Sequence, residues 1–116
     1  MVTESSKKIT EHKPAPFGGT GRITVRSLRN GPPELNGRGR VFAHTTVEPG
    51  AAIGYHVHRG DSETYYILSG TARYNDNGTY VTVSAGDVTH TASGEGHGIE
   101  AIGDAPVELI ALILYE

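Results

Sequence analysis

The chain has 116 residues, enough for one domain core and too few for two. Ten Lys plus Arg against thirteen Asp plus Glu leave a formal net charge of -3, which argues against a nucleic-acid scaffold. The absence of Cys excludes disulfides, thiolate-bound zinc, iron–sulfur clusters and thiol catalysis.

Residues 1–17 carry Glu4, Lys7, Lys8, Glu11 and Lys13 with few large apolar groups. Such a segment buries too little to offset its own ordering entropy, so a tail that is flexible or packs on a partner subunit is expected. It holds no signal-peptide apolar stretch, and no later run approaches the roughly 18 apolar residues of a membrane span. A soluble, cytoplasmic protein without membrane contact is the expectation, with the folded domain spanning 18–116.

From residue 22 onward the chain is a series of short β-favouring runs: 23–28, 40–47, 53–58, 63–68, 71–74, 79–83, 88–91, 97–102 and 107–115. Turn residues separate them. Asn30-Gly31-Pro32-Pro33 and Pro49-Gly50 are breakers, and Asn77-Gly78 is a favoured hairpin corner. No window carries a capped helical period, and turns recur at the spacing of a sandwich or barrel. The fold class is all-β. The last run is apolar on both faces from Leu109 onward, which predicts cover on both sides. A second copy of the chain would supply the outer cover, so a homodimer is expected.

His56 and His58 lie two apart on a predicted strand, and period-2 alternation puts both imidazoles on one face. Glu63 follows after one turn, and His97 begins a later strand. If these converge, three imidazoles and a carboxylate make an N₃O site for one divalent transition metal ion: Mn, Fe, Co, Ni, Cu or Zn. Six-coordination would leave two positions for adjacent oxygens of a small ligand. By itself a His-x-His pair is a weak signal.

The glycine frame strengthens it. Gly50, five residues, His56, one, His58, four, Glu63, six, Gly70 resembles the first motif of the cupin superfamily at every position. Gly86, five residues, Ala92, one, Gly94, two, His97, three, Ala101 resembles the second, with Ala92 and Ala101 where the family usually has Pro and Asn. The resemblance implies a double-stranded β-helix, or jelly-roll barrel, with a metal inside held by His56, His58, Glu63 and His97. Neither departure touches an implied ligand.

Softer candidates surround the implied site. Tyr65 shares a face with Glu63 and can supply a pocket phenol or a base. Arg40, Phe42 and His44 share a face under strict alternation, so Arg40 can grip a substrate carboxylate or phosphate, and His44 can act as acid or base. His90 is a further acid–base candidate, while the charges of the Arg59-Gly60-Asp61-Ser62 turn read as solvated. Fold does not fix function here. Within the resemblance, Glu63 argues against the thiol dioxygenases, and length argues against two-domain oxalate enzymes, seed proteins and regulators with a helix-turn-helix. What remains is a metal-dependent enzyme on a small oxygen-rich metabolite, of dioxygenase or isomerase/lyase type. The alternatives are a non-catalytic metal- or metabolite-binding module and, third, a closed structural metal site.

Overall fold

Why the runs become strands is visible in their partners. The computed structural model describes residues 1–116, with ten strands in two antiparallel sheets. The six-stranded sheet runs β1 (Thr10–Pro14), β2 (Arg22–Arg29), β3 (Gly39–Val47), β10 (Val107–Tyr115), β5 (Asp61–Ser69) and β8 (Val88–Thr91). The four-stranded sheet runs β4 (Ala52–Val57), β9 (Gly96–Ala101), β6 (Thr71–Asp76) and β7 (Thr79–Ser84). Neighbours distant in sequence, β3 beside β10 and β4 beside β9, wrap the chain into a double-stranded β-helix.

Alternation sorts each strand into an inner and an outer set. Ile23, Val47, Ile67, Tyr74, Ile99, Val107 and Leu109 are buried in one cluster between the sheets. The β6–β7 hairpin closes between Asp76 and Thr79 through Asn77 at φ 49° and Gly78 at φ 100°. Two positive φ values in succession define a type I′ turn, which suits the strand twist and the Asn-Gly pair. The Gly31–Glu34 breaker forms a single helical turn (α1), with proline in its first positions where no amide hydrogen is needed.

One expectation changes. Residues 10–14 are not a free tail: they form β1, paired in register with β2 from Thr10↔Arg26 to Pro14↔Arg22. Most of β1 is exposed, so backbone pairing holds it, and composition gives no sign of that. β10 is inner-buried at Val107, Leu109, Ala111 and Ile113, whereas Ile110 and Leu112 are half-buried and Leu114 is exposed. Within one chain the outer face of β10 is only partly covered. No helix is long and apolar enough to cross a membrane.

Candidate metal centre

Each ligating side chain arrives on a different part of the β scaffold. His56 lies near the end of β4, opposite His97 on β9, and His58 follows β4 immediately. Glu63 enters on β5, opposite Thr91 and Ile113. One donor atom from each of these four residues lies within 4.8 Å of all the others, so the sequence-predicted quartet does converge. His58, Glu63 and His97 are buried, and His56 is partly buried.

The donor spacing is informative. Nε2 of His97 lies 3.1 Å from Nε2 of His58 and 3.1 Å from Nε2 of His56. Oε1 of Glu63 lies 3.0 Å from His97 Nε2 and 3.2 Å from His58 Nε2. Adjacent ligands of a six-coordinate ion with bonds of about 2.1 Å stand about 3 Å apart, against about 3.4 Å around a tetrahedral ion. The four observed separations lie close to the first value.

The opposite ring nitrogens are all engaged. His56 Nδ1 donates to the Gly54 carbonyl at 2.8 Å and His58 Nδ1 donates to Asp61 Oδ1 at 2.7 Å. His97 Nδ1 meets the Tyr74 hydroxyl at 2.8 Å, and that oxygen reaches Thr91 Oγ1 at 3.0 Å. A carbonyl and a carboxylate only accept, so His56 and His58 carry a proton on Nδ1 and turn Nε2 inward. When the rings are neutral, bare lone pairs and one carboxylate face one another. Such a set is satisfied by a shared cation, and tying down the far nitrogen is how proteins orient imidazole ligands. The residues fit a divalent ion.

Electrostatics follow from the same contacts. Burial lowers the His56 pKa, outweighing the help of the Gly54 carbonyl. The Glu63 hydrogen bond, opposed by burial and aided by Asp61, raises His58. Burial pushes Glu63 up, but His58 and His97 outweigh it and hold the carboxyl below its ordinary range. Burial and the Glu63 charge lift the Tyr65 phenol well above its ordinary value. It therefore stays protonated, which favours the pocket-phenol alternative over that of a base.

The other candidates separate. Tyr65 is buried, stacks on His97 at 5.0 Å between ring centroids, and lines a cavity of about 160 Å³ in front of His56, His58 and Glu63. Arg40 lines the same cavity but does not share a face with Phe42 and His44. The β3–β10 register pairs Ile113 with Val41 and Leu114 with Gly39, leaving Arg40 as the extra residue of a β-bulge. The bulge re-aims it, and its Nε donates to Asp61 Oδ2 at 2.9 Å. His44 is turned to the outer face, where Nε2 meets Glu108 Oε1 at 2.8 Å. His90 bonds the Thr64 hydroxyl on an exposed edge. Neither joins the centre.

Sequence reasoning missed three participants. Asp61 is buried, bridging His58 and Arg40; a carboxylate three residues after a ligand, across a tight turn, was the available signal. Burial opposes its charge, yet bonds from Arg40 and His58 win and keep its pKa low. Tyr74, on the inner parity of β6, orients His97. Phe17 stacks on His56 at 3.9 Å, with the planes 15° apart, so the N-terminal segment walls the cavity.

Comparison with known proteins agrees with the fold. A Thermotoga maritima protein named oxalate-binding protein is 38% identical over 114 residues, covering 98% of this chain and 93% of the relative. A crystal structure from the same organism, described as a predicted oxalate decarboxylase, superposes with TM-score 0.94 at 37% identity over 100% of both chains. An RmlC-like cupin from Shewanella frigidimarina shares the fold, with TM-score 0.68 and 18% identity over 98% of this chain and 89% of that one. Residues 43–113 match the family described as "Cupin domain", and the chain belongs to that family.

Proposed function

We propose that this protein binds one divalent transition metal ion through His56, His58, Glu63 and His97, and through it a small oxygen-rich carboxylate. Oxalate is the first candidate, because the curated relative is named for it. The carrying observation is the cluster of four donor separations between 3.0 and 3.2 Å, all but one of them to His97 Nε2, beside a small cavity. When bound, the ion supplies Lewis acidity and open positions for adjacent ligand oxygens.

The chain's own residues define the rest. Asp61 fixes the His58 tautomer and Tyr74 orients His97. Ile23, Val25 and Leu109 line the cavity and lower the local dielectric, which strengthens every charge interaction inside. The cavity volume of about 160 Å³ is below the usual range for drug-sized ligands and suits a handful of non-hydrogen atoms. Tyr65 is positioned to donate a hydrogen bond to a ligand oxygen.

Binding is favoured over turnover as the primary role. Besides the four donors, the cavity is lined by no carboxylate or imidazole able to shuttle a proton. The enzymatic reading keeps two supporting groups in the cavity wall, the Tyr65 hydroxyl and the Lys13 ammonium, each with a proton to give. Calorimetric titration of metal-loaded and chelator-treated protein with oxalate tests both readings, with formate and CO₂ measured alongside. Saturable binding only with metal, and no product, is the expected result. Equal binding after chelation, or none in either form, overturns the proposal, and steady formate release makes the enzymatic reading primary.

A further inference from the structure

The cavity wall contains a cation with nothing to pair with. Lys13 lies on β1 opposite Ile23, a residue of the inner face, and that register turns its side chain inward. It is half-buried and lines the cavity together with Ile23, Val25 and the metal-binding quartet's His56, His58 and Glu63. Arg40, the other cation there, is already matched by Asp61. Lys13 makes no ion pair and no side-chain hydrogen bond. An ammonium half-buried beside aliphatic walls and without a partner is available to an anion that enters the cavity.

Charge then bears on what the cavity accepts. A divalent ion and Glu63 together leave one positive charge, and Lys13 raises this to two. A monoanion neutralises half of that; a dianion neutralises all of it. We propose that Lys13 is the counter-ion to the second charge of a chelated dianion, making the site selective for small dicarboxylates over monocarboxylates of the same shape. This rests on the metal-and-carboxylate reading above and assigns a specificity role to a strand outside the matched family region, residues 43–113.

Oxalate and oxamate separate charge from shape, since oxamate replaces one carboxylate by a neutral amide of nearly equal size. Both are titrated into the full-length protein loaded with Mn(II), comparing wild type with Lys13→Met, Lys13→Gln and Lys13→Arg. Metal content and thermal unfolding are measured for each. The ratio of oxalate to oxamate affinity is expected to fall by about tenfold to a hundredfold in Lys13→Met and Lys13→Gln, through weaker oxalate binding, and to persist in Lys13→Arg. Met and Gln leave the backbone pairing of β1 intact, and two neutral variants guard against one that misfolds. A ratio unchanged in the neutral variants overturns the role of Lys13 while leaving the binding reading in place. Wild-type protein that takes up Mn(II) but neither anion overturns both.

Discussion

At the scale of single residues, the centre depends on groups that never touch the ion. Asp61 fixes His58 from behind, so Asp61→Asn is expected to weaken metal affinity by about tenfold to a hundredfold with the fold retained, read by competition with a chromophoric chelator. The Asp61 carboxyl is held below its ordinary value of 3.8, so in metal-free protein its stabilisation is present above that value. It is lost as pH falls through the lower folded-state value. Thermal unfolding between pH 7 and pH 3 should therefore fall less steeply for Asp61→Asn than for wild type. Metal uptake carries its own pH dependence. His58 keeps its proton to a higher pH than the ordinary 6.5, because Glu63 accepts from it, and that proton must leave before Nε2 can ligate. Affinity should begin to decline above pH 6.5 and fall steadily toward pH 5; a flat profile would contradict imidazole ligation.

At the scale of elements, the two sheets were readable and their irregularities were not. Short β-favouring runs between turn residues located nine of the ten strands, since alternation and turn chemistry are local properties. The Asn77-Gly78 corner and the shared face of His56 and His58 belong to the same class. Bulges do not. One on β3 redirects Arg40, and another on β4 inserts an extra residue between the Ile53↔Ile99 and His56↔His97 pairs. Each is set by a partner strand distant in sequence, so strict period-2 reading put Phe42 and His44 on the same face as the cavity-lining Arg40. β1 escaped for a different reason: an exposed edge strand needs no apolar pattern. Its connection to β2 is held where Gly54 N donates to the Pro16 carbonyl at 3.0 Å. A Cβ at Gly54 would collide with the Phe17 backbone. Gly54→Ala should therefore destabilise the protein by about 1–3 kcal/mol and release the Phe17 stack on His56, measured by thermal unfolding and by the His56 proton resonances.

At the scale of the whole molecule, the outer face of the six-stranded sheet carries an unfinished boundary. Ile110 lies opposite Tyr66, Leu112 opposite Phe42, and Tyr66 opposite the exposed Val88. These form a continuous apolar band over four strands, the band expected from the two-sided character of 109–114. We expect two copies to pair through it. Sedimentation equilibrium should give a dimer for wild type and a monomer for Leu112→Asp; a wild-type monomer at micromolar concentration would remove the expectation. An oxygen-rich ligand was the expectation from the donor set, and the relative's name is compatible with it. Length weighed against the two-domain oxalate enzymes, and oxalate returned through a relative that this chain covers to 93%.

The anchoring of the three inner rings has a practical corollary. Tying the far nitrogens to Gly54, Asp61 and Tyr74 sets the orientation of the inner rings but does not choose among ions. Nitrogen and oxygen donors rank first-row ions by intrinsic affinity, with copper at the summit, whatever the cell intends. On the proposed metal reading, protein made in a foreign host is expected to carry an element which that host supplies freely, and its elemental signature would record the growth medium before it records biology.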